Sequence, residues 1–208
     1  MITRFVLDDS GMNLLSSSAL RALGSAVAQL RGCAVFVIES ARPGIFAAGA
    51  DMAEMSRFTP FEAYEFARLG QEVFADIERL PFLTVALIDG DCFGGALDLI
   101  LAFDFRFATP RARFAHPGAR LGIVTGFGGT SRWRNVISRP AANQLFLANR
   151  VLSAGEALSM GLVDRVAESH DGEIERLAAC DRSRVRFVKE LALHSARLSR
   201  SELLTFSL

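Results

Sequence analysis

The chain has 208 residues, half of them apolar, enough to bury a sizeable core and most economically read as one domain. Twenty-three basic residues balance twenty-three acidic ones, so net charge gives no reason to expect nucleic acid or an acidic membrane surface as partner. Cys33, Cys92 and Cys180 lack a CxxC pair or a histidine at metal-ligand spacing and read as reduced thiols; with no signal peptide or membrane-length apolar run visible, a cytoplasmic protein is expected.

Short β-type runs alternate with longer helical ones, the pattern of an α/β protein. Arg4 to Leu7 reads as a first strand, and a helix capped within Ser16 to Ser18 runs through Leu20, Leu23, Val27 and Leu30 to Gly32. AVFVIE at 34–39 is a buried strand. Pro60 opens a second helix whose apolar face is read as Phe61, Tyr64, Phe66, Leu69, Val73, Phe74 and Ile77, and LTVALID at 83–89 is the next strand. A Gly- and Asp-rich turn at 89–95 leads to a helix over about 95–103 and short strands at 104–108 and 112–115. The Gly-rich loop GIVTGFGGT at 122–130 precedes helices near 130–138, 140–148 and 153–160, a strand LVDRVA at 162–167, and a basic helical remainder from about Glu173. Tyr64 and Trp133 read as core or pocket walls, and Asp104 and Arg132 as structural hydrogen-bonding residues.

Two loops carry the chemistry. The loop after strand 34–39 contains Gly44 and Gly49 among small alanines, and Gly94 and Gly95 follow strand 83–89. Each glycine cluster alone is an ordinary tight turn. Together they let two backbone N–H groups, one of them at a helix N-terminus, point at one oxygen and form an oxyanion hole.

The segments IFAAGADMAEM, FGGALDLILAFDFRFA, ARFAHPGARLGIVTGFGGTSR and LSAGEALSMGLVDRV, in this order over about residues 45–167, resemble the successive signatures of the crotonase (enoyl-CoA hydratase/isomerase) superfamily. The resemblance implies a crotonase-like ββα spiral with a helical C-terminal segment, residues 1–139 forming the core and 140–208 a trimerisation or lid segment of the same domain. It also implies CoA-thioester binding, with CoA as part of the substrate and no separate cofactor, and a homotrimer or dimer of trimers. The oxyanion donors fall on the N–H groups of Ala50 and Gly95, expected within roughly 6 Å of each other. Ala48, Gly49, Asp51, Gly94 and Gly118 are the candidate substrate-binding positions.

Of the family's two carboxylates, the first falls on Asp98, in shortened form, and the second on Gly118, where none stands. Asp98 reads as a helix first-turn carboxylate or, preferably, as the acid/base group. Opposite it the sequence suggests a vacancy open to water, an anion or the His116 side chain; His116 is a candidate base, weighed against an ordinary structural histidine. Ala53 takes the place of a basic residue often found after GAD, so the basic face from Arg176 onward is the candidate partner for CoA phosphates. The expected function is enolate chemistry on an enoyl-CoA, with double-bond isomerisation favoured over hydration by the single carboxylate. The alternatives are a crotonase-fold decarboxylase or C–C hydrolase, and a catalytically impaired CoA-binding or assembly subunit.

Overall fold

A computed structural model describes residues 1–9 and 11–195. The chain begins with β1 (Ile2–Leu7) and the short β2 (Leu14–Leu15), then α1 (Ser17–Gln29), whose N-cap Ser16 accepts from the N–H of Ala19. β3 (Val35–Ser40) is followed by β4 (Gly44–Ala47), β5 (Gly49–Ala50), the single-turn α2 (Met52–Met55) and the long α3 (Pro60–Glu78). Next come β6 (Leu83–Ile88), β7 (Gly90–Phe93) and α4 (Gly95–Ile100), then β8 (Phe105–Ala108) and β9 (Arg113–Ala115). The last part holds α5 (Gly129–Arg132), α6 (Arg139–Ala142), β10 (Leu152–Ser153), α7 (Ala154–Ser159), β11 (Arg165–Val166), α8 (Asp171–Ala178) and α9 (Arg182–Ser195).

β1, β3, β6, β8 and β11 form one parallel sheet in the order β1-β3-β6-β8-β11. β4, β7 and β9 form a second with β10 antiparallel on its edge, and β2 pairs with β5. Each of β3, β6 and β8 therefore hands the chain to a strand of the second sheet before a helix follows, which is a ββα spiral. β10 and β11 lie beyond residue 140, so the C-terminal segment completes both sheets as well as supplying helices.

The five-stranded sheet is covered on both faces, which explains why β3 reads as a continuous apolar run. Alternate residues go opposite ways: Phe36 and Ile38 enter the main core with Phe46, Leu97 and Phe114, while Val35 and Val37 pack under Ile174 and Leu177 of α8. α3 starts with a reciprocal capping box between Thr59 and Glu62, with Pro60 at its first position.

Several boundaries depart from the sequence reading. Phe61 and Tyr64 are 71% and 64% exposed, because the first turn of α3 projects past the core and the buried face begins at Phe66. Trp133, by contrast, packs partly buried against the core. The helix expected over 130–138 is divided into α5 and a 3-10 turn at Trp133–Asn135, and that over 140–148 into α6 and a π turn at Asn143–Leu147. β11 is only two residues long, since Leu162 and Val163 go into the core instead of a ladder. Arg197 and Arg200 of the basic face lie outside the described residues.

Candidate active site

Backbone proximity creates the centre of the site. Gly49 has φ +101°, and a Cβ there would lie 2.7 Å from the Phe93 carbonyl and 3.0 Å from the Gly95 nitrogen. Only glycine lets these two loops meet. A Cβ on Gly95 would in turn lie 3.3 Å from the Ala50 nitrogen. Since a residue's N and Cβ are about 2.5 Å apart, the Ala50 and Gly95 nitrogens are separated by at most about 6 Å. Gly95 opens α4, where an N–H has no intrahelical partner. Ala50 sits on β5 in register with Leu15 of β2, and β2 is held by Asp9, whose carboxylate accepts from the N–H groups of Gly11, Asn13 and Leu14.

One turn along α4, Asp98 is fully buried. Its Oδ2 accepts a hydrogen bond from the Thr125 hydroxyl. Its Oδ1 stands 3.4 Å from His116 Nε2 without the alignment of a hydrogen bond, and both atoms are otherwise without a partner among the described residues. The imidazole packs on the Phe146 ring at 4.8 Å between centroids. A Cβ on Gly129 would overlap Asp98 Oδ1, so the Gly-rich loop closes directly over the carboxylate. Nearby, burial above all, and then the charges of Asp98 and Asp91, push the Cys92 thiol well above its usual range and leave it a neutral core residue.

These groups open into a cleft of about 310 Å³ walled mainly by Met52, Met55, Phe66, Ile123, Val124 and Phe127. Arg132 fixes the loop that forms one wall: it donates to the Phe127 carbonyl at 2.7 Å and pairs with Glu78 of α3 at 3.0 Å. The arrangement offers two N–H groups beside a buried carboxylate in an apolar pocket, the requirements for stabilising an oxyanion while a proton moves.

A family model described as enoyl-CoA hydratase/isomerase matches residues 2–202. The chain belongs to this family. It is 34% identical over 172 residues to the crotonyl-CoA hydratase of Syntrophomonas wolfei, covering 80% of this chain and 66% of that one. It is 36% identical over 178 residues to the mitochondrial methylglutaconyl-CoA hydratase of Homo sapiens, covering 84% and 52%. The crystal structure of an enoyl-CoA hydratase from Bacillus anthracis superposes with a TM-score of 0.92 at 27% identity, covering 99% and 84%. The chain thus spans between about half and two thirds of the length of these curated relatives.

Within this enoyl-CoA hydratase/isomerase framework, Ala48, Ala50, Gly94, Gly95, Asp98, His116 and Gly118 all line the cleft. Gly49 and Asp51 do not. Gly49 serves the loop contact, and the Asp51 carboxylate is turned onto its own helix, where it caps α2 by accepting from Ala53 and Glu54. Of the occupants expected beside Gly118, the His116 side chain is the one found there: a Cβ on Gly118 would lie 3.1 Å from His116 Cε1 and 2.7 Å from the Ile123 carbonyl.

Three side chains of the basic C-terminal face have partners of their own. Arg176 pairs with Glu173, Arg186 with Glu190, and Lys189 with Asp104 and the Phe82 carbonyl; among the described residues none beyond Phe127 lines the cleft. Asp104 also accepts from the backbone and hydroxyl of Thr84, the structural part read for it. A second hollow of about 580 Å³, lined by Arg31, Cys33, Asp76, Arg182 and Arg186 among others, shares no residue with the cleft.

Thr125 was missed as a site residue. Its loop stands out in the sequence as glycine-rich, but no local pattern links a threonine to an aspartate 27 positions earlier. Among the described residues no cluster of three or more His, Cys, Asp or Glu could hold a metal ion, and no helix is long and apolar enough to cross a membrane.

Proposed function

We propose that this protein acts on an enoyl-CoA thioester through an enolate, with the thioester oxygen held by the N–H groups of Ala50 and Gly95 and Asp98 as the acid/base group. The observation that carries the reading is the opening of those two backbone positions and the buried Asp98 carboxylate into one apolar cleft. For a 3-enoyl thioester, Asp98 takes a proton from the α-carbon, the electron pair moves onto the thioester oxygen as a dienolate, and the same proton returns at the γ-carbon. Asp98 and His116 stand side by side on one wall. That placement suits one proton moving from the α- to the γ-carbon on one face of the substrate better than it suits the separate activation of water, and it favours isomerisation over hydration.

CoA is part of the substrate in this scheme and no further cofactor is needed. We also place the protein in the cytoplasm as a homotrimer or dimer of trimers. The test is a panel of crotonyl-, 3-enoyl-, dienoyl- and malonyl-type CoA thioesters followed by mass spectrometry. Conversion of the 3-enoyl thioester to its 2-enoyl isomer, faster than hydration of crotonyl-CoA, is the expected result. Loss of CO₂ from the malonyl type with the enoyl esters untouched would replace this reading with a decarboxylase.

A further inference from the structure

We propose that Thr125 is a positioning residue of this site: its hydroxyl ties down one oxygen of Asp98 and leaves the other as the oxygen that exchanges the proton. The inference rests on the reading of Asp98 as acid/base group and goes beyond it by assigning separate work to the two carboxylate oxygens. Thr125 donates to Oδ2, whereas Oδ1 has no hydrogen-bond partner among the described residues although it is fully buried. With Oδ2 engaged, Oδ1 is the oxygen left open to the cleft side of the carboxylate. Gly129 closes over Oδ1 so tightly that any side chain there would overlap it, which stops the carboxylate from swinging aside.

The hydroxyl is not needed to hold its own loop. On one side of Thr125, the Ile123 N–H donates to the Gly118 carbonyl at 2.9 Å; on the other, the Gln71 side chain donates to the Gly126 carbonyl at 2.6 Å. The loop is pinned on both flanks without it. In the reaction, the α-carbon proton passes to Oδ1 and its electron pair to the thioester oxygen, Thr125 keeps its own proton, and the proton on Oδ1 then leaves for the γ-carbon. A short aspartate side chain has little reach with which to correct a misplacement, and an error of about 1 Å at such a site costs on the order of 100-fold.

The experiment compares Thr125→Val, Thr125→Ser and Asp98→Asn in the whole protein. It measures kcat and KM for 3-enoyl-CoA isomerisation and the exchange of butyryl-CoA α-hydrogens for deuterium in D₂O. Thr125→Val is expected to keep KM and to lower kcat by about 10- to 100-fold, because the carboxylate loses the contact that holds it in place. Thr125→Ser restores kcat. If Asp98→Asn is inactive while Thr125→Val keeps the wild-type kcat, the positioning role is overturned and the acid/base reading stands. A Thr125→Val loss that serine does not restore also overturns it, in favour of packing. If Asp98→Asn retains full activity, the acid/base reading falls and the role of Thr125 falls with it.

Discussion

His116 Nε2 and Asp98 Oδ1 stand 3.4 Å apart on the same wall of the cleft, so the histidine is a neighbour of the carboxylate and not its counterpart across the substrate. A reaction that shuttles one proton needs only Asp98, whereas adding water also needs a base for the water proton. Asp98→Asn should therefore lower both isomerisation and hydration by about 10²- to 10⁴-fold. His116→Ala should lower hydration by about 10-fold or more and change isomerisation far less. The ratio of the two rates is the measurement, and an equal fall in both for His116→Ala would show that the imidazole serves only as packing.

Gly118 falls where the sequence resemblance puts the family's second carboxylate, and a Cβ there would crowd the Ile123 carbonyl and the His116 ring. Gly118→Glu should destabilise the protein by about 1–3 kcal/mol through overpacking against the Ile123 carbonyl and the His116 ring, and should not create hydration activity. Thermal melting and a crotonyl-CoA assay check both parts. A gain of two orders of magnitude in hydration with an unchanged Tm would mean that the loop opens freely.

Asp9 links pH to the stability of the N-terminal turn. Burial pushes its carboxyl up, but the N–H groups of Asn13, Gly11 and Leu14, with the charge of Arg42, outweigh burial and hold it below the ordinary aspartate value of 3.8. Because the folded value lies below the unfolded one, the ionised group stabilises the fold at neutral pH, and that contribution is lost as pH falls through the folded value. The group is mostly exposed, so the effect is about 1 kcal/mol at most. Asp9→Asn should lower Tm at pH 7 and by much less near pH 3. Equal losses at the two pH values would refute the linkage.

Leu147, Val151 and Leu158 are exposed at 68%, 54% and 43%, large apolar side chains gathered within a short stretch of the C-terminal half. Light scattering should give a mass of three or six chains, and Val151→Arg should shift it toward the monomer. A monomeric wild-type mass at working concentration would rule out the assembly and leave the fold intact.

The parts of this molecule that declare themselves in the sequence are those with a strong local pattern. β3 and β6 are nearly continuous apolar runs, Ser16 and Pro60 mark helix starts, and the two glycine pairs stand out among small residues. β4, β5 and β7 read as loop because Gly-Ile-Phe-Ala, Gly-Ala and Gly-Asp-Cys-Phe are too short to alternate and each opens on a glycine, which is depleted in strands; pairing with distant strands makes them strands. The same limit hid the placement of the side chains around Asp98. The sequence supplies the carboxylate and a glycine-rich loop, but the hydroxyl contact of Thr125, the close approach of Gly129 and the filled space at Gly118 depend on how the second sheet folds onto α4.

The spiral also sets an order of assembly during synthesis. By Ile100 a growing chain already contains Ala50, Gly95 and Asp98, but not the Ala115 carbonyl that receives the Gly94 N–H, nor the histidine and threonine that enclose the carboxylate. β8, β11 and α8, which complete and cover the five-stranded sheet, emerge later still. Parallel pairings of this kind close long loops before they are rewarded, which makes folding slow and leaves apolar strands uncovered in the meantime. The nascent chain is thus most exposed to aggregation while its chemistry is already encoded but not yet held in place.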